Sequence, residues 1–383
     1  MKNTKKFILG GFFVFLLGFL SYFTIKFLFS DTFNSSFSSK AFSNPKIEDN
    51  YTSFKKLKSD KTNKIINSIY KKNKGKYPDE VAEALKNYKL QDRSYSYGMV
   101  ENSNFGKFVD CINSEPYYNS GNLIKFDNNG IPMVKYEGKY YYNPVSIAQF
   151  GLSKYAEYLD GSFAAKVDFL KACDKLIELL NEDGSFRYPF KWKNFNNKKI
   201  YEIGWVSALA QGHGLSMFSR AYYITHDEKY LNAGEKVLNF LPVNKQNGGT
   251  MTSLKDVHPV LKENLFFEEY VSTPDSYTLN GYMFTLIGLH DWAMLTKAFP
   301  NNVKENESMI YYNEGLESLK SVISLYDVGG FTSYDLGHIT YDKTPRLIPG
   351  YHAVHIKLLH YLNSIKHDST LYKYEQLWKS YVD

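Results

Sequence analysis

Two adjacent carboxylates stand among aromatic rings in Phe266-Phe267-Glu268-Glu269-Tyr270, and Thr273-Pro274-Asp275-Ser276 follows them. A carboxyl group crowded by apolar surface loses hydration. That loss raises its pKa toward the range a general base needs near neutral pH. The plainer reading is a set of caps and turns around Pro274 ahead of the next helix, and the residue types alone favour it. Further along, Tyr326-Asp327, Ser333-Tyr334-Asp335-Leu336-Gly337-His338 and Tyr351-His352 place phenols and imidazoles on loops. A phenol titrates near about 10, so it serves as a proton donor unless a cation lowers that value. His352 and His355 are three residues apart and share a helical face. Without a third ligand nearby they suit hydrogen bonding better than metal. No phosphate-binding glycine loop, nucleophile elbow, HExxH or CxxC is present. Unaided, these residues say carbohydrate chemistry on a helical body, with the reaction open.

The elements that must position them are mostly helical. Leu123 to Val145 alternates apolar and polar residues around Asn128-Asn129-Gly130 and Glu137-Gly138, which predicts one or two small hairpins. Phe163, Val167, Leu170, Cys173, Ile177 and Leu180 then recur at helical spacing, and Gly184 is a stop signal. A second stripe runs from Trp205 through Ala208, Leu209, Gly212, Leu215 and Phe218 to Tyr222. Further helical runs are predicted near 146–159, 228–240, 278–297, 310–326 and 352–382. Paired helices joined by loops rich in Gly, Asn, Pro and Asp suit an α/α toroid, whose rim loops carry the chemistry.

Composition sets the outer bounds. The chain has 383 residues, 43% hydrophobic and 22% charged, which excludes a disordered, collagenous or multi-span membrane protein. Cys111 and Cys173 are too few for a disulfide framework or a structural zinc site; they form at most one bridge. Tyrosine is abundant at 33 residues, which suits sugar stacking and is a weak pointer. The net charge of +6 is unevenly placed: residues 1–30 hold +4 and 31–107 hold +6, so 108–383 carry −4. A slightly acidic body argues against nucleic acid as a partner.

Phe7 to Ile25 is an uncharged run of 19 residues behind Lys2, Lys5 and Lys6. As a helix it spans about 29 Å, close to the hydrocarbon thickness of a bilayer. Lysines ahead of it keep the N-terminus cytoplasmic and the rest exported. No small-residue cleavage site follows directly, so a retained single-pass signal anchor is expected rather than a cleaved signal peptide. The domain division is therefore 1–30 as cytoplasmic tip and transmembrane helix, 31–107 as a Lys/Ser/Asn-rich spacer and stem, and 108–383 as the body.

Five blocks, taken in order, resemble the D-glucuronyl C5-epimerases of heparan sulfate biosynthesis. They are Pro144 to Tyr155 (PVSIAQFGLSKY), Gly204 to Tyr222, Phe266 to Asp291, Leu316 to His338 and Tyr351 to Leu359. The resemblance implies an incomplete α/α toroid that converts glucuronate to iduronate within a polysaccharide, with no nucleotide cofactor; no cofactor and no metal are expected for this chain. It implies a catalytic carboxylate at Glu269 in the EEY motif, with Tyr270 beside it and Asn280 of the LNG motif as substrate contacts. Tyr334 of the YDL motif and Tyr351 before the His of YHxxH match its tyrosines. Glu269 and Tyr351 are expected to face each other across the ring, with Tyr334 polarising or relaying.

The chain departs from the family in two places. The family has Arg directly before the His of YDLxH, and here that position is Gly337. Arg346 or His338 is expected to replace it, and His352 is a further expected substrate contact. The large β-rich domain of the animal enzymes is also missing, since Tyr155 passes directly into the helix from Phe163. The acidic body suits an unsulfated uronan better than a heavily sulfated one.

Expected partners are a uronic-acid polysaccharide, the membrane through one N-terminal helix, and a second copy of the chain as a candidate. Three other readings remain open. A polysaccharide lyase shares the C5 proton abstraction. A glycoside hydrolase would need a second carboxylate, from Glu268, Asp335 or Asp183. A membrane-tethered, non-catalytic glycan-binding protein is the third.

Overall fold

Asn143 starts the first helix because its side-chain oxygen accepts Val145 N at 3.0 Å and Ser146 N at 3.4 Å, while Pro144 fits a first turn that needs no N–H. The computed structural model describes residues 123–382 apart from 195–197, 301–302, 304–306 and 342, together with a short antiparallel ladder, β1 (Lys89–Leu90) with β2 (Val109–Asp110). All of these belong to the unit spanning 56–383. The predicted transmembrane run Phe7 to Ile25, Cys111 and almost all of the stem lie outside the described residues. Among the described residues no helix is long and apolar enough to cross a membrane.

The fold is mainly α. The helices are α1 (Pro144–Leu159), α2 (Phe163–Leu179), α3 (Ala208–Thr225), α4 (Glu228–Phe240), α5 (Leu279–Ala298), α6 (Ser308–Tyr326), α7 (Pro349–Ile365) and α8 (Ser369–Lys379). Successive helices pack in pairs: α1 on α2, α3 on α4, α5 on α6 and α7 on α8. The predicted pairing is therefore present. α3 and α5 form the centre, buried along most of their length, polar residues included.

Glycine decides how closely those two helices approach. A Cβ on Gly212 would sit 2.5 Å from Thr285 Cα, and one on Gly288 would overlap the Gly212 carbonyl. Two turns along, Arg220 Nη1 meets Asp291 Oδ2 at 2.6 Å, and Ser216 Oγ donates to the same oxygen at 2.8 Å. Both charges are almost wholly buried, at 0% and 2% side-chain exposure, so each is held in place by the other.

The hairpin section forms as predicted: β3 (Ile124–Phe126), β4 (Pro132–Tyr136) and β5 (Lys139–Tyr141) make an antiparallel meander. Its turns use Gly130 (φ +81°) and Gly138 (φ +85°), where the left-handed backbone favours glycine. Two more short ladders appear that the sequence pattern did not reveal, β6 (Trp192–Lys193) with β7 (Ile200–Tyr201) and β8 (Met251–Ser253) with β9 (Leu265–Phe267). The run predicted over 352–382 is two helices, not one. Lys366 is extended at φ −147°, and Asp368 caps a new helix by accepting Thr370 N at 2.9 Å and Leu371 N at 3.1 Å. Trp205 precedes α3 rather than lying in it, because Ser207 is still extended at φ −144°. Cys173 is a buried free thiol.

Candidate active site

The ladder β8–β9 delivers the chain to Glu268 and Glu269. The chain bends just past β9, and the two carboxylates meet different surroundings. Glu268 is fully buried and accepts Tyr277 N at 2.9 Å and Ser276 Oγ at 3.4 Å. Its backbone ties the residue before β8 to α3, with Glu268 N donating to Thr250 O at 2.9 Å and Ala208 N donating to Glu268 O at 3.0 Å. Burial, then the charge of Asp275, holds its carboxyl well above the usual range. Asp275 is itself balanced by Lys245 Nζ at 2.6 Å and Thr252 Oγ1 at 2.7 Å.

Glu269 faces the candidate site, 5% exposed, against the first turn of α5. Asn280 Nδ2 donates to its Oε2, and Tyr334 Oη donates to its Oε1, each at a long 3.5 Å. Desolvation pushes its pKa up to about 7, against the opposing pull of hydrogen bonds from Tyr270 and Tyr334 and of the Arg346 charge. Burial wins, so Glu269 can exchange a proton near neutrality. The phenols of Tyr270 and Tyr334 are driven the other way from use as bases. Burial and the nearby Glu269 charge hold both well above the ordinary value of 10, so they remain donors.

Long-range backbone bonds assemble the rest. Leu279 N donates to Tyr334 O at 3.1 Å, and Tyr334 N donates to Arg346 O at 2.8 Å. The Arg346 guanidinium lies over the Tyr334 ring, 4.6 Å from its centre. Tyr351, on the first turn of α7, sets its ring edge-on to Tyr334 at 4.7 Å and 73°. Glu269, Tyr270, Tyr334, Tyr351, Asn280 and Arg346 are thus brought together. On the other flank Tyr270 lies 6.0 Å from Trp205, which stacks on Tyr188 at 3.7 Å and 6° and is oriented by Trp205 Nε1 donating to Phe190 O at 3.0 Å. This aromatic wall is unannounced in the sequence, where Trp205 reads as part of a helical stripe.

The remaining expected residues are held by other contacts, although Asp335 is near enough to Glu269 to oppose its charge. His352 is fully buried, its Nδ1 paired with Thr332 Oγ1 at 2.9 Å and its Nε2 with Trp378 O at 3.2 Å. His355 Nδ1 shares the same hydroxyl at 2.9 Å. These bonds tie α7 to its neighbours and leave neither nitrogen of His352 for a sugar. His338 is 4% exposed with Nε2 on Leu325 O at 3.1 Å. Asp335 is buried, accepts Gly337 N at 3.0 Å and is raised to about 6 by desolvation. Asp183 belongs to an exposed turn, bound to Ser185 N and to Arg187. A Cβ on Gly337 would lie 3.0 Å from Asp335 Oδ1. Among the described residues no group of His, Cys, Asp and Glu is placed to hold a metal.

Residues 180–380 match the family model "D-glucuronyl C5-epimerase C-terminus". The chain is 30% identical over 351 residues to a D-glucuronyl C5-epimerase of Caenorhabditis elegans, covering 87% of this chain and 55% of that protein. It is 30% identical over 195 residues to an uncharacterised protein of Methanocaldococcus jannaschii, covering 51% of this chain and 56% of that one. The chain therefore spans about half the length of the curated relatives it matches. Among solved structures, a polysaccharide lyase superposes with a TM-score of 0.38 at 12% identity over 64% of this chain and 62% of that one. The match to the family model covers more than half of the sequence and takes in the whole Glu269–Tyr351 cluster, so this chain belongs to the D-glucuronyl C5-epimerase C-terminal family.

Proposed function

We propose that the protein inverts C5 of D-glucuronate residues within a polysaccharide, giving L-iduronate. The observation that carries this reading is a buried carboxyl, Glu269, whose pKa rises to about 7 beside three phenols and an arginine. The C5 hydrogen of a uronate is weakly acidic, and the adjacent carboxylate opposes the charge formed when it leaves. Inversion needs one group to take the proton from one face and another to return a proton to the opposite face. Glu269 and Tyr351 are the proposed pair, each acting as base in one direction and acid in the other. A carboxyl titrating near 7 fits that double duty, being about half protonated at neutral pH.

The intermediate carries its extra charge on the substrate carboxylate. Arg346 is the proposed counter-ion, standing in for the arginine that Gly337 lacks, and a bidentate guanidinium matches a carboxylate well. Tyr334 and Asn280 supply preorganised donors, and Tyr270 stands beside the ring. In this reading the paired helices close into an incomplete α/α toroid. The uncharged run Phe7 to Ile25 behind its lysines supports a single-pass anchor with this body outside the cell membrane.

Incubation with heparosan in heavy water tests the reaction. Epimerisation puts deuterium at C5 without shortening the chain. A lyase would instead give an unsaturated uronate that absorbs in the ultraviolet, and a glycan-binding protein would give neither signal.

A further inference from the structure

A cleft of about 260 Å³ opens beside β8, lined among others by Asn244, Lys245, Gln246, Ser253, Lys255 and Lys262. Its polar walls are two amides, two hydroxyls, three ammonium groups and the Glu263 carboxylate, a set in which cations outnumber acids and which suits an anion rather than an apolar ligand. The inner end is fixed. Lys245 Nζ donates to Ser272 O at 2.9 Å and pairs with Asp275, leaving its side chain 10% exposed. Asp275 offsets that one charge. The outer end is open: Lys255 is exposed, and Lys262, 70% exposed, has Glu263 at 3.8 Å as its charged partner among the described residues, itself 58% exposed. Solvent weakens such a pair, so the outer wall keeps a positive balance.

The cleft adjoins the reacting centre through the backbone. Lys199 Nζ donates to Val271 O at 3.0 Å, one residue before the carbonyl that Lys245 holds, and packs over Tyr201, whose ring is 6.1 Å from Tyr270. Two ammonium groups therefore grip the segment directly after Glu269 and Tyr270. Leu265 on the cleft wall is four residues from Glu269, about 13 Å of extended chain. Phe266, Phe267 and Glu268 between them are fully buried, so a polymer seated at Glu269 would reach Lys255 and Lys262 over the surface rather than along β9.

We propose that this cleft is an anchoring subsite for an anionic group, a carboxylate or a sulfate, carried by the same polymer a few sugars from the reacting uronate. The subsite rests on the polymer-level reading above. It explains how a body of net negative charge retains a negatively charged chain: the positive groups are concentrated along one path.

The test uses the full chain with Lys255→Glu/Lys262→Glu, and Lys255→Gln/Lys262→Gln as the milder pair. The probes are heparosan, N-sulfated heparosan and a heparosan disaccharide. Calorimetric binding is measured across salt concentrations in a Glu269→Gln background, where turnover is not needed. Charge reversal is expected to weaken binding of the polymers about tenfold and flatten its salt dependence, with the Gln pair intermediate. The disaccharide, too short to reach, keeps its affinity. In the active protein, KM for polymer rises while kcat holds. A larger loss for the N-sulfated chain assigns a sulfate, and an equal loss assigns a carboxylate. Unchanged polymer affinity and salt dependence overturns the subsite, as does failure of both polymers to bind the unaltered protein. Lysine-dependent binding without deuterium uptake leaves the subsite standing and removes the epimerase reading alone.

Discussion

Gly281 packs directly against Glu269: a Cβ there would lie 2.7 Å from Glu269 Cβ and 3.0 Å from its Cδ, and would run into Oε2. Only glycine lets the first turn of α5 come this close to the carboxylate. Gly281→Ala therefore moves the carboxylate while leaving a residue that helices prefer by about 1 kcal/mol. C5 deuterium exchange is expected to fall about a hundredfold, since misplacement by about 1 Å costs that much. Circular dichroism is expected to show a folded helical protein. Full exchange activity in this variant would show that the carboxylate's position is not critical.

Glu269 also makes stability depend on pH. Its carboxyl titrates at about 7 in the folded protein against an ordinary value of 4.5. The folded state then holds the proton over a range where the unfolded state has released it, so stability falls as pH rises from 4.5 to about 7. Glu269→Gln removes that loss along with the activity. In urea melts the variant is expected to gain on the order of 2 kcal/mol over the unaltered protein at pH 8, and much less near pH 5. An equal difference at both values would mean that burial does not perturb this group.

Arg346 should behave as a group felt most in the transition state. Arg346→Ala is expected to lower kcat for exchange by roughly a hundred- to a thousandfold, with Arg346→Lys recovering only part because the planar fork is lost. A change confined to KM would instead mean simple binding.

The buried pair between α3 and α5 should be costly to split. Asp291→Ala leaves the Arg220 guanidinium without its 2.6 Å partner in the core. Chemical denaturation should record a loss of about 3–5 kcal/mol. Replacing both residues by apolar ones of similar volume should cost far less.

Long periodic elements were legible from sequence. The helix predicted over 228–240 is Glu228–Phe240, because its apolar stripe and the Asp227 cap, which accepts Lys229 N at 3.0 Å, are both local signals. The helix break near 366 falls in the polar run Lys366-His367-Asp368-Ser369-Thr370, where the apolar stripe lapses and the Asp368 cap starts a new helix, signals that the run predicted over 352–382 passes over. The strands β6 and β7 have two residues each, too few to show alternation. Within the site, Glu269, Tyr334 and Tyr351 were singled out by the family's motif blocks, since their meeting depends on contacts between distant segments. The bridge between Ser333 and Leu347, which sets Arg346 over Tyr334, is one such contact. His352 shows the limit of adjacency. It follows Tyr351 in the chain, yet successive residues on a helix point about 100° apart, and the imidazole faces Thr332 and Trp378 instead.

The glycine seam between α3 and α5 reaches beyond packing. Gly288 lies seven residues, about 10 Å, along the same rod from Gly281. A methyl group slipped into the seam would lever the rod outward at one end and tilt the acid it supports at the other. Drift in the protein's interior and drift in its chemistry are thus mechanically the same event, and a search for variants with new sugar preferences should leave both glycines untouched.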